Sequence, residues 1–240
     1  MNMLIMGAPG AGKGTFSRLL REELNLNHIS TGDIFRENIS KGTPLGLEAK
    51  SYTEQGKLVP DSVTNKMVKD YLENLTDKKN GYLLDGYPRT IDQAKAFEEM
   101  TKGTDLAVDT VLVMDVPFEE LTRRITGRRS CTKCGEIYNI YSNPPKVEGV
   151  CDHDGTALTQ RKDDNEESLK TRLDEYSKNT EPVIGYYDEK GLVSHVDALG
   201  DKDEIWTRIK KVLNIYMIAL IIYKRNSCVL VSTTFLLKSA

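Results

Sequence analysis

No apolar run in this sequence approaches the roughly 20 residues a membrane-spanning helix needs, so membrane attachment is not expected. There is no repeat at a period of roughly 20 to 50 residues, which argues against a solenoid, and no low-complexity tract. Charge imbalance is also missing. A formal net charge of -3 offers no global attraction for nucleic acid or an anionic membrane, so any anion must be met by locally concentrated basic side chains. Only Met3 to Met6 form an apolar run before Gly7, with no basic segment ahead of them; a secretory leader is not expected, and a cytoplasmic location is. Cysteine is scarce. Cys131, Cys134 and Cys151 lie close together while Cys228 stands alone, a grouping that in a reducing compartment suggests a metal before a disulfide. What remains is an ordinary globular composition, 39% hydrophobic and 29% charged over 240 residues, enough for one or two domains with a sizeable core.

The most informative stretch is Gly7-Ala8-Pro9-Gly10-Ala11-Gly12-Lys13-Gly14-Thr15. It follows the apolar run Met3 to Met6 and precedes a helical pattern with Phe16, Leu19, Leu20 and Leu24 on one face. Strand, glycine loop and helix in that order let backbone N–H groups surround a polyphosphate, with Lys13 as the point charge. The strict pattern places a hydroxyl directly after the lysine; here Gly14 intervenes and the hydroxyl arrives on Thr15, so phosphate binding is better specified than magnesium binding. Further strand-like runs at Tyr82 to Leu84, Val111 to Val116 and Leu192 to Val196 alternate with helical segments, which predicts a parallel sheet covered by helices. Asp61 is expected to cap the helix after Pro60, Thr90-x-x-Gln93 reads as a capping box, and Pro117 fits the first turn of the helix carrying Leu121, Arg124 and Ile125. The loops Gly7 to Gly12 and Asp85 to Arg89 then fall at the carboxyl ends of strands, where open α/β sheets bind ligands. Two stretches break the alternation: Ser30 to Pro60, read as short helices, and Arg128 to Asp164, which has no good helix but holds the cysteines and Asn143-Pro144-Pro145. Both suit mobile covers over a nucleotide site.

Gly-x-Pro-Gly-x-Gly-Lys-Gly-Thr, Ser30-Thr31-Gly32-Asp33-x-x-Arg36, Leu84-Asp85-Gly86-Tyr87-Pro88-Arg89, Gly127-Arg128-Arg129 and Asp163-Asp164-Asn165, in this order, resemble the adenylate kinases, in particular the long form with a zinc-binding lid. The resemblance spans residues 1–214. It implies a P-loop NTPase-type parallel sheet flanked by helices, with a core of 1–29, 60–126 and 165–214, a helical AMP-binding insertion at 30–59 and a small β-rich zinc lid at 127–164. It implies that Gly10, Ala11, Gly12, Lys13, Gly14 and Thr15 hold ATP phosphates, joined by Arg128, Ile137 and Tyr138 from the lid and Gly200 near the base. AMP contacts are implied at Thr31, Arg36, Lys57, Leu58, Val59, Gly86, Tyr87, Pro88, Arg89 and Gln93, the last facing the adenine edge, with Arg161 and Arg172 closing on the phosphates. Phe16 stands where the family commonly has glutamine, a change expected to alter packing more than chemistry.

Phosphoryl transfer between nucleotides needs positioning and charge stabilisation more than covalent help. Lys13, Arg36, Arg89, Arg128, Arg161 and Arg172, scattered along the chain, would have to converge. A monophosphate acceptor is already ionised at neutral pH, which fits the lack of a protein-kinase catalytic-loop signature. Asp85 is placed to act on Mg2+ through water; a strand-end aspartate bonding its own turn is the competing reading. Cys131-x2-Cys134 and Cys151-x2-Asp154 repeat one spacing, giving four ligands for a structural Zn2+, with His153 competing for the fourth place. The expected partners are ATP, AMP and ADP, with no nucleic acid, and the chain is expected to act as a monomer. A kinase for UMP or CMP, a zinc-ribbon nucleic-acid-binding ATPase and a nucleotide-sensing scaffold without turnover are the rival readings; Thr31 and Gln93 favour adenine, and the acidic stretch Gly149 to Asp154 disfavours nucleic acid. Residues 215–240 match nothing in the family and are read as an unassigned apolar tail, either not native or an extra element on the core.

Overall fold

The computed structural model describes residues 1–75 and 78–215; the apolar tail beyond Ile215, with Cys228, lies outside the described residues. Two compact units are distinguished, Met1–Leu199 and a second one from Gly200 onward. The first is built on β1 (Asn2–Gly7), whose residues are all buried, as expected of a continuous apolar strand covered on both faces. It lies between β3 (Tyr82–Asp85) and β4 (Thr110–Asp115), with β2 (Asn27–Ser30) and β8 (Val193–Asp197) outermost, and every pairing is parallel. The sequence pattern missed β2. Asn27-His28-Ile29-Ser30 has a single apolar residue, and it becomes a strand because the open edge of β3 pairs with it.

The connections carry the site. From β1 the chain runs through α1 (Lys13–Leu24) to β2, beyond β3; from β3 it runs through α5 (Ile91–Thr101) to β4, on the other side of β1. The direction of winding therefore reverses at β1, which opens a crevice at the carboxyl ends of the central strands. Gly7 ends β1, Asp85 ends β3, and Ser30, paired with Asp85 in register, ends β2. Around the sheet lie α4 (Asp61–Glu73), α6 (Phe118–Thr126), α7 (Glu166–Glu175) and α8 (Glu181–Asp188), the last two joined by a π-helical turn at Tyr176–Thr180.

The two irregular stretches take different forms. Residues 30–59 contain α2 (Thr31–Lys41) and α3 (Pro44–Thr53), whose Ile34, Phe35 and Ala49 join Val59 in the same buried cluster as Leu4, Leu84 and Phe97. Residues 127–164 form a separate antiparallel sheet of β5 (Arg128–Cys131), β6 (Ile137–Asn139) and β7 (Leu158–Thr159), in the order β6-β5-β7. Its own buried cluster is only Cys131, Tyr138 and Cys151, with Leu158 packed against it.

Three expected caps differ in detail. Asp61 does not cap α4, because Pro60 is the N-cap; the Asp61 carboxylate instead accepts from Thr90 Oγ1 and Gln93 Nε2, both at 2.7 Å. Thr90 does accept from the Gln93 N–H, but the Gln93 side chain turns to the Arg89 N–H at 2.7 Å, so the box stays half-formed. Pro117 precedes α6 as its N-cap. In the second unit α9 (Lys202–Val212) starts from a complete capping box of Asp201 and Glu204. Among the described residues, no helix is long and apolar enough to cross a membrane.

Candidate active site

The loop after β1 leaves α1 open at its amino end. Gly12 is the N-cap at φ 95°, a conformation that costs other residues energy, and no side chain caps the first turn. That first turn carries no acidic residue either, so its amide dipoles face the crevice unneutralised. Lys13 folds back over the loop, where its Nζ donates to the carbonyls of Gly7 at 2.7 Å and Ala8 at 2.9 Å. Phe16 is buried, with its ring lying 3.5 Å from where a Cβ on Gly12 would be, so the aromatic side chain fills space behind the loop.

The basic residues named from the sequence meet here. Burial, with Arg89, Arg172 and Arg128 nearby, pulls the Lys13 ammonium down to about 8 against the opposing pull of Asp85. Burial and the fields of Arg128 and Arg36 bring Arg161 down to about 9, and burial with Arg128 and Arg89 brings Arg172 down to about 10. Arg89 is lowered by burial first and by Arg36 second. Each of the six cations thus feels at least one other, and the guanidiniums remain charged at neutral pH. Carboxylates hold three of them: Asp164 takes the Arg128 guanidinium, Asp163 takes Arg172 Nη1 at 2.9 Å, and Asp33 takes Arg36. Among the described residues, Arg161 makes no ion pair. Asp163 and Asp164 stood in the sequence as a motif without a role; adjacent acids just before the cap of α7, in a chain needing oriented arginines, were the available signal.

The second half of the site gathers at the end of β3. Gly86 sits at φ 83°, and a Cβ there would come within 2.8 Å of both Thr31 Oγ1 and an Arg89 nitrogen, so only glycine lets the two approach. Thr31 Oγ1 donates to Gly86 O at 2.9 Å, and Arg89 Nε donates to the same carbonyl at 2.7 Å. Gln93 is buried, with one amide end on Asp61 and the other on the Arg89 N–H. A glutamine amide has four hydrogen-bonding positions, and this network leaves one donor and one acceptor. Tyr87 and Pro88 are buried; the Tyr87 ring meets Phe97 edge-on at 5.5 Å and its hydroxyl bonds Asn65. Their side chains belong to the core. Lys57 is exposed, Leu58 half-buried and Val59 buried, and the preceding Gly56 lies against the Arg172 side chain.

Of the further residues expected around ATP, Ile137 reaches the first turn of α1: its Cδ1 lies 3.3 Å from where a Cβ on Gly14 would be. The Tyr138 ring packs in the cysteine cluster, where its hydroxyl accepts from the Asp152 N–H at 2.8 Å. Gly200 belongs to the second unit, where it stands at φ 119° with the Glu204 carboxylate filling its Cβ position.

Cys131, Cys134, Cys151 and Asp154 offer one donor atom each, all within 4.8 Å of one another. Cys134 Sγ lies 3.5 Å from Cys151 Sγ, and Cys131 Sγ lies 3.5 Å from both Asp154 oxygens. Tetrahedral zinc, with Zn–S about 2.3 Å and Zn–O about 2.0 Å, implies ligand separations of roughly 3.5 to 3.8 Å, so the donor set fits. His153 is exposed and its Nε2 faces Glu136 at 3.4 Å, leaving Asp154 as the fourth donor. Hydrogen bonding from the Thr156 N–H holds the Asp154 carboxyl far below the usual carboxylate range, in its ligating form.

A family profile described as Adenylate kinase matches residues 5–192. The chain is 50% identical over 213 residues to the adenylate kinase of Clostridium botulinum (strain Loch Maree / Type A3), covering 89% of this chain and 98% of that protein. The adenylate kinase of Clostridium tetani is likewise 50% identical, and that of Clostridium kluyveri 47%, each with the same coverage. With the glycine loop, the parallel sheet and these matches together, the chain belongs to the adenylate kinase family.

Proposed function

We infer that this protein catalyses reversible phosphoryl transfer, ATP + AMP to 2 ADP. The observation that carries the reading is the cluster of six mutually repelling cations around an uncapped helix start, because such an arrangement is relieved by bound polyphosphate. In this reading residues 10–15 hold the ATP phosphates, and Lys13 leaves the carbonyls of Gly7 and Ala8 for phosphate oxygens. Segment 30–59 with Arg89 and Gln93 receives AMP. Arg89, fixed by Gly86, and Arg36 take the acceptor phosphate, while the free donor and acceptor of Gln93 match the N1 and amino edge of adenine. Segment 127–164 is the lid: it brings Arg128 and Arg161 onto the transferring group and keeps out water that would otherwise accept it. Asp163 and Asp164 act as positioning residues, orienting Arg172 and Arg128. No general base is needed, because the acceptor phosphate is already largely ionised.

Two metals belong to the proposal. Asp85, at the end of β3 and within the field of Lys13 and Arg89, would hold Mg2+ through water, and the ion would neutralise charge on the ATP phosphates. The cysteine cluster would hold structural Zn2+ with no open coordination position. Incubation of the purified protein with ATP, magnesium and each nucleoside monophosphate in turn tests the reading. ADP formation is expected with AMP; equal or faster turnover of UMP or CMP would overturn the assignment.

A further inference from the structure

Outside the nucleotide site, several contacts join segment 127–164 to the rest of the protein, among them Asn139 Nδ2 to the Arg124 carbonyl at 2.9 Å and Arg123 over the Tyr141 ring, and one reaches the phosphate-loop helix. Arg18, on α1, bonds the Glu136 carboxylate through Nη1 and the Gly135 carbonyl through Nη2 at 3.1 Å. We propose that Arg18 and Glu136 form a docking pair that seats the lid on the phosphate-loop helix and so positions Ile137 over the ATP subsite. The proposal rests on reading 127–164 as the lid.

Four observations carry it. Arg18 stands four residues after Gly14, so the two share one face of α1, and that face meets Ile137, the first residue of β6, and Glu136 just before it. The strand therefore touches the helix at two points a turn apart. The side chains of Arg18 and Glu136 are 25% and 15% exposed, which shields the pair from much of the screening that makes surface ion pairs weak. Arg18 engages two groups at once, and a guanidinium fork holding a carboxylate and a carbonyl fixes orientation as well as distance. Glu136 is also anchored from behind: its carbonyl accepts from the Cys131 N–H at 2.9 Å, and the Gly135 N–H donates to Cys131 O at 3.1 Å. The donor cluster thereby fixes the turn that presents Glu136, and His153 lies on the same carboxylate at the outer side. Neither Arg18 nor Glu136 is among the groups assigned to a nucleotide.

Such a contact favours the closed lid, and its loss should weaken ATP capture while leaving the AMP side alone. Arg18→Ala is expected to raise KM for ATP about threefold to tenfold, the range of a half-shielded, charge-assisted contact. KM for AMP should stay unchanged, and kcat unchanged or higher because lid opening is eased. Glu136→Gln should do the same with zinc content retained. The exchange Arg18→Glu with Glu136→Arg should recover much of the ATP KM, which a purely structural role would not produce. ATP KM within about twofold of the parent in Arg18→Ala, an equal rise in AMP KM, or failure of the exchange would overturn the proposal. Arg128→Ala, assayed alongside, separates the two readings. If it loses turnover while Arg18→Ala changes nothing, the docking pair fails and the lid stands; if neither changes ATP kinetics, both fail.

Discussion

The two segments proposed to cover the crevice are held by different physics. Segment 30–59 is helical, and Ile34, Phe35, Ala49 and Val59 continue the main apolar core. Segment 127–164 has three short strands and a buried cluster of Cys131, Tyr138 and Cys151. That is little apolar surface for the ordering of nearly forty residues, and the proposed Zn2+ on the four donors would add to it. One segment shares the main core; the other has a set of four donor atoms in place of one, and the proposed Zn2+ would complete it.

The largest effect should fall where both covers meet the core. Arg89→Ala should lower kcat/KM by about two to three orders of magnitude, the cost of removing one preorganised donor to developing charge, with only a small change in melting temperature. Comparable losses of stability and turnover would mean that Arg89 holds the covers together and does no chemistry. Next, Phe35→Ala should cost about 3 to 5 kcal/mol in chemical denaturation, in a single transition, because its cavity opens in the shared core. Metal removal by a chelator should behave differently. Protease sensitivity and amide exchange should rise within 127–164 and the ATP KM should increase, while the main unfolding midpoint moves less than in Phe35→Ala. One common transition for both treatments would break the comparison. Within the second cover, Asp154→Ala should lose zinc and His153→Ala should keep it, as read by metal analysis; the reverse would move the fourth ligand to the imidazole.

The smallest effect is a pH dependence. Burial holds Lys13 near 8, below the value of about 10.4 for an exposed lysine, so the unfolded chain keeps this proton over a range where the folded one has lost it. The share of stability governed by Lys13 should therefore be lowest below pH 8 and rise with pH from about 8 to 10.4, a slope that Lys13→Met should abolish. Over the same range, kcat/KM for ATP should fall, because the free protein loses the charge that meets phosphate.

Much of this architecture was legible in the sequence because it follows local rules. Met3 to Met6, buried on both faces, could hardly be anything but an inner strand, and the glycines after it left few options for the loop. The cysteine spacing pointed to the donor set that the fold assembles. The illegible parts depend on neighbours. Strand β2 exists because β3 offers an edge, and Asp61, which looked like a cap, is drawn to Gln93 and Thr90 across a gap of 29 to 32 residues. The place of the Tyr138 ring among Cys131 and Cys151 likewise comes from the fold of 127–164 and not from its neighbours in sequence.

Residue order by itself determined the glycine loop, the parallel sheet and the group of four candidate donors, since each is written in spacings of a few residues that sterics and hydrogen bonding convert directly into shape. Only the tertiary structure decided which carboxylate orients which arginine, how Gln93 is pinned, and that Arg18 meets Glu136 from 118 residues away. Those pairings depend on which charged groups the fold leaves close together and shielded from water, and a Coulomb interaction carries no trace of itself along the chain.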